Sequence, residues 1–266
     1  MPQPGLKAHV TVAAKSVRTS ETNGRNQLKN TMKPNSALAT AIQTGKQAAW
    51  QNRWPGAALW LFGVALIAGY YWFEPIRSGL ERIGEVKTRY GILFGIVSTA
   101  IFGGLIPSIL RVAVDRKVPQ AFWGLLIANV IFWAFKGAEI DLFYRFQAWM
   151  FGDDSSVKTI ASKVSFDALR YGPLMGLLNC VLFYIWQDNG YSFSQTRTAL
   201  GRNWYVRKVL PALISNWCVW LPSAIMIYSL PLALQLPVQN LILCFWVLVL
   251  VFFTTTIEDE AAESIA

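Results

Sequence analysis

Beyond Gly56 the chain alternates long apolar stretches with short charged or proline-marked breaks. The stretches cover residues 57–73, 91–110, 121–135, 166–186, 209–228 and 237–255, the third being the shortest and continuing toward Phe143. A hydrocarbon core about 30 Å thick is crossed by roughly 20 apolar helical residues, each rising about 1.5 Å. A soluble chain of 266 residues has room to bury one such helix, not six. The stretches are continuous runs rather than the strict alternation of a β-barrel strand, so each must satisfy its own backbone hydrogen bonds as a helix. The pattern predicts an all-α, polytopic transmembrane helix bundle of about six spans over residues 56–257. A disordered basic tail (1–55) precedes it and a short acidic tail (258–266) follows.

Composition sharpens this picture. The chain is 54% hydrophobic and 15% charged, against about 25% charged in soluble proteins. Trp54, Trp60, Trp72, Trp149, Trp186 and Trp204 fall near span ends, where an amphipathic ring suits the headgroup layer. All three cysteines (Cys180, Cys218, Cys244) lie inside predicted spans, so no disulfide framework is expected. The only histidine, His9, is in the tail, so no metal site and no cofactor are expected.

The charge map gives a topology. Residues 1–53 carry eight Lys or Arg against one acid, Glu21, and hold no apolar run of the kind a secretory signal needs. Two readings stay open: a flexible tail held near anionic lipid, or an organellar leader. With six spans, the tail shares a side with the loops around 111–118 and 187–208. That side counts fifteen cations against nine opposite, which predicts both termini on the cytoplasmic or matrix side of a bacterial inner or organellar membrane. The net charge of +9 is thus read as lipid-facing, with no nucleic-acid partner. The expected partners are the bilayer and, as one option, further copies of the chain.

Small residues recur at four-residue spacing in Gly91-x-x-x-Gly95 and Ala65-x-x-x-Gly69, which lets helix backbones approach closely, although such pairs also arise by chance. Pro222, in the middle of the fifth stretch, frees a carbonyl that must face protein or water.

Polar residues inside the spans are the candidate functional groups. In the third, Lys136 with Glu139 and Asp141 with Arg145 are spaced to pair along one helix, and Gly137, Asp141, Tyr144 and Arg145 share a face. Charges at such depth cost about 2.5–3.5 kcal/mol each on insertion scales and turn toward the bundle interior. The alternative is an interfacial helix with solvated charges. Lys163 and Asp167, also four apart, enter the fourth stretch, and Asp167 is placed to meet Lys136 or Arg145.

These segments, in their order, resemble the Mpv-seventeen/PMP-twenty-two family of mitochondrial and peroxisomal membrane proteins. The residues that carry the resemblance are Gly137 through Asp141 to Tyr144-Arg145, then Lys163, Asp167 and Pro173. Asn216-Trp217-x-x-Trp220-Leu-Pro222, Leu230-Pro231 and Trp246 complete it, over roughly residues 89–255. Where the family has Pro, His and Gln, this chain has Ala138, Asp141 and Ala168; the family's Gln-x-x-Asn-Phe element is missing, and the first span and the basic tail have no counterpart in its four-span pattern. The resemblance implies an integral membrane protein forming a pore or channel for small solutes, with Lys136, Glu139, Asp141, Tyr144, Arg145, Lys163 and Asp167 as pore or polar-cluster candidates. Gly137, Pro173, Asn216, Trp217, Trp220, Pro222, Pro231 and Trp246 are then structural.

A non-transporting structural or assembly protein is the competing expectation. An enzyme is not expected: no Ser or Cys stands beside a base. The acids Asp141 and Asp167 are the only pair available to an aspartyl hydrolase, and Met150 breaks the Gly-x-Gly-Asp pattern such enzymes use.

Overall fold

The computed structural model describes residues 34–115, 118–119 and 121–263, and among them every regular element is helical, as the apolar pattern predicts. In chain order the helices are α1 (Pro34–Gln51), α2 (Arg53–Trp72), α3 (Glu74–Tyr90), α4 (Ile92–Thr99), α5 (Ile106–Asp115), α6 (Phe122–Phe151), α7 (Val157–Phe166), α8 (Leu177–Asp188), α9 (Phe193–Leu200), α10 (Leu210–Tyr228) and α11 (Leu232–Glu263). Wider π-helical turns occupy Ala100–Leu105 between α4 and α5, Asp167–Gly176 between α7 and α8, and Tyr205–Val209 before α10.

Among the described residues five helical runs are long and apolar enough to cross a membrane: Arg53–Trp72, Ile92–Val114, Val157–Asp188, Tyr205–Tyr228 and Leu232–Val249. The third expected stretch stands outside this set. It forms the first half of α6, a 30-residue helix whose apolar run gives way to Lys136, Glu139, Asp141 and Arg145.

Residues 34–51, counted with the tail in the sequence reading, fold as α1. The reason is a stripe of small residues: Ala37, Ala41 and Ala48 are buried, and Gly45 lies on the same side. A Cβ on Gly45 would stand 2.7 Å from Ile214 Cβ and 3.0 Å from the Pro211 carbonyl, so α1 meets α10 backbone to backbone. Residues 1–33 of the expected tail lie outside the described residues.

The described chain divides into two compact units. The first joins residues 34–53 to Phe166–Trp220. Within it, Pro173 sits inside the π-helical stretch Asp167–Gly176. Proline has no N–H to give and crowds the preceding turn, and the wider turns absorb that crowding. Two side chains satisfy carbonyls of this stretch: Tyr205 Oη donates to Pro173 O at 3.0 Å, and Trp217 Nε1 donates to Ala168 O at 3.0 Å. Trp217 therefore has a structural task, that of tying α10 to the irregular stretch.

The second unit joins Trp54–Ser165 to residues 221–263. Between α2 and α3 the chain turns at Phe73, whose backbone is extended, and Pro75 starts α3 where a missing N–H matters least. Arg77 donates to the carbonyls of Tyr70 and Tyr71 at 3.0 and 2.5 Å, satisfying the open end of α2. The tightest seam is α4 on α6. A Cβ on Gly137 would stand 2.1 Å from Gly95 O, and one on Gly95 would stand 2.9 Å from Gly137 O. Gly103 and Gly104 extend the seam against Trp133 and the backbone of Asn129 and Val130. Gly91, by contrast, ends α3 in a left-handed conformation (φ 56°). The other four-residue pair forms no seam, for Ala65 is exposed and Gly69 packs on Ile76 at the α2–α3 turn.

Candidate functional site: a polar stripe on a helix with an apolar outer flank

Helix α6 is built inside out. Its exposed large apolar side chains are Trp123, Ile127, Ile131, Phe135, Leu142, Phe146, Trp149 and Met150, most of them three or four apart, and Arg145 is exposed among the last of them. Its buried positions are Lys136, Gly137, Ile140, Asp141, Phe143, Tyr144 and Gln147, a mostly polar stripe on the opposite flank. A helix in water turns its apolar stripe inward; here the polar stripe is inward and large apolar side chains face out, the arrangement a hydrocarbon surround demands.

Asp141 is the hub of the stripe. Its carboxylate is 3% exposed and takes two cations: Lys87 Nζ at 2.5 Å on Oδ1, and Arg145 Nε at 2.9 Å on Oδ2. Lys87 is itself buried and arrives from α3, while Arg145, one turn along α6, keeps half of its side chain exposed. Lys136 and Glu139 form the second expected pair, 2.6 Å apart and both buried. Tyr144 Oη donates to Gln239 Oε1 on α11, and its ring meets Tyr228 edge-on at 5.6 Å. A neutral relay stands beside the charges: Thr99 Oγ1 donates to Asn240 Oδ1 at 3.1 Å, and Asn240 Nδ2 to Ser98 Oγ at 2.9 Å.

Lys163 is 1% exposed, and its ammonium has no hydrogen-bond partner among the described residues. Gln147, fully buried, donates through Nε2 to the Lys163 carbonyl at 3.0 Å and thereby fastens α6 to α7; its own Oε1 is unpaired. Asp167 belongs to the first unit, where it opens the π-helical stretch. Asn216, Trp217 and Trp220 lie half-buried on α10 in that same unit. In the second unit Pro222 lies inside α10, Pro231 is exposed just ahead of α11, and Trp246 is half-buried on α11.

The loop after α6 is set by its own side chains. Gly152 turns it with φ 92°, and Asp154 accepts from Ser156 N at 2.8 Å and from Thr159 Oγ1 at 3.0 Å. Ser156 Oγ caps the first turn of α7 by accepting from Thr159 N. The hydrogen bonds from Ser156, then that from Thr159, hold the Asp154 carboxyl below the usual carboxylate range.

The sequence reading missed Lys87, Gln147, Gln239 and Asn240. The signal for Lys87 is the spacing Leu80, Gly84, Lys87, the buried stripe of the otherwise polar α3. Gly84 admits Leu234 of α11 within 3.0 Å of its would-be Cβ. Among the described residues no group of three His, Cys, Asp or Glu side chains is placed to hold a metal ion. No protein-family model, curated protein or solved structure matches the chain.

Proposed function

We propose that this multi-pass membrane protein forms a permeation path for small solutes along the polar flank of α6, as its resemblance to the Mpv-seventeen/PMP-twenty-two family implies. The observation that supports this most is Asp141, a carboxylate buried on a helix whose outer flank is apolar and held by cations from two helices. Ionisable groups inside a membrane are expensive and are retained where they serve ions or polar substrates. Tyr144, Gln239, Ser98, Thr99 and Asn240 add hydroxyl and amide groups to the same unit, which suits a polar passage. On this reading both termini lie on the cytoplasmic or matrix side.

The test is flux through purified protein in liposomes, with Asp141→Asn and Arg145→Gln beside the wild type. A permeation path lined by these groups changes its conductance or charge selectivity in both variants, since fixed charge filters by sign. Folded, inserted protein that carries no ion or small metabolite at any voltage overturns the reading.

One observation favours the rival reading of a non-transporting structural protein. Asp141 is fully ion-paired and the α4–α6 seam is closed backbone to backbone, as a helix lock would require. Under that reading the Asp141 and Arg145 variants alter stability and nothing crosses the bilayer.

A further inference from the structure

The charges around Asp141 do not balance. One carboxylate receives two cations, Lys87 on one oxygen and Arg145 on the other, which leaves the trio with one positive charge in excess. The neighbouring Lys136–Glu139 pair is neutral in itself. The hydrogen bonds of Tyr144 to Gln239 and of Asn240 with Ser98 and Thr99 join neutral groups.

The way Arg145 binds Asp141 matters as much as the count. A guanidinium can grip a carboxylate with two parallel N–H bonds, using up one edge of its fork. Here it uses Nε alone, and among the described residues neither terminal nitrogen has a hydrogen-bond partner. Half of the side chain is exposed, whereas the carboxylate beneath it is sealed. Gly91 passes beside the guanidinium without a side chain to cover it; a Cβ there would stand 3.5 Å from Nη2. An open two-pronged donor over a net positive, buried base is complementary to a planar or tetrahedral oxyanion.

We propose that Arg145, with Lys87 behind Asp141, is a binding site for an oxyanion of the carboxylate or phosphate class. That this oxyanion is also the permeant rests on the permeation reading above; the binding site itself does not. A phosphate could come from solution or from a lipid headgroup, and both present the same oxygens to the fork. Asp141 has the role of a positioning residue: it orients the guanidinium through Nε and leaves the terminal nitrogens free.

The binding test uses the full chain in neutral detergent, with thermal midpoint as readout. Inorganic phosphate is compared with chloride at equal ionic strength, and phosphatidylglycerol with phosphatidylcholine in mixed micelles. Arg145→Gln keeps Lys87 on Asp141 and so strands no buried carboxylate; Arg145→Lys keeps the charge but removes the fork. Expected is a phosphate-dependent rise in the wild-type midpoint whose half-saturating concentration rises about tenfold or more in both variants. A rise with phosphatidylglycerol alone assigns the same site to a lipid headgroup. Equal midpoints in phosphate and chloride, together with no phosphatidylglycerol effect, overturn the proposal, as does an effect that both variants retain in full.

The flux arm separates this proposal from the permeation reading. Reversal potentials across a salt gradient that favour the anion, and lose that preference in Arg145→Gln, support both. Phosphate binding without flux supports the site and removes the pore. Cation-preferring flux without any oxyanion effect keeps the pore and removes the site.

Discussion

At the scale of single residues, Asp141 and Lys163 are opposite cases of buried charge. Asp141→Ala removes the partner of a buried ammonium, Lys87, and is expected to destabilise by about 3–5 kcal/mol in detergent unfolding. Lys163→Met removes a buried ammonium that has no hydrogen-bond partner among the described residues, and is expected to fall within about 1 kcal/mol of wild type or to stabilise. A clear loss of stability in Lys163→Met would show that the ammonium is being compensated after all. Asp154 gives a pH signature. Its folded-state pKa is depressed by Ser156 and Thr159, so its contribution is complete above the unfolded value of about 3.9 and fades as pH falls through the folded one. Thermal midpoints of wild type and Asp154→Asn should therefore differ near neutrality and converge in acid, once pH has fallen below the depressed folded-state value. A gap that persists in acid would assign the effect to packing rather than charge.

At the scale of elements, what could be read from the sequence followed the strength of the pattern. Continuous apolar runs mark helices because hydrocarbon offers the backbone no partner, and the Asp141–Arg145 and Lys136–Glu139 pairs follow from spacing on one helix. Lys87 could not be read the same way: its partner lies on another helix, and a loop between spans looks polar whether or not it is helical. The lack of a hydrogen-bond partner for the Lys163 ammonium among the described residues was hidden too, since spacing shows which groups can meet and not which way each turns. Helix α1 was missed because alanine and glycine carry little hydropathy, although their small size is what allows close contact with α10. Deleting residues 1–33 should leave the thermal midpoint nearly unchanged, whereas deleting 1–51 should lower it by several degrees through loss of the α1 contact. Equal midpoints for the two truncations would show that α1 contributes nothing to the fold.

At the scale of the whole molecule, the open question is the path of the chain through the bilayer. Among the described residues five runs meet the length and hydropathy needed to cross, and α6 carries Lys136 and Asp141 on its buried flank. If α6 crosses as well, reporter fusions at either terminus should report the same side, with the 74–90 segment and the 152–156 loop opposite. Termini on opposite sides would leave α6 out of the count. Its length has a further consequence. Thirty residues make about 45 Å of helix, half as long again as a hydrocarbon core of about 30 Å. Counted upright from Phe122 at one boundary, Asp141 lies about 28 Å across and Arg145 about 34 Å, straddling the far edge of the oil. Acyl-chain length then acts as a dial on the cluster. Long chains draw the guanidinium under unless the helix stands straighter, and short chains lift the carboxylate toward water unless it tilts, so membrane thickness sets how much water Asp141 and Arg145 share.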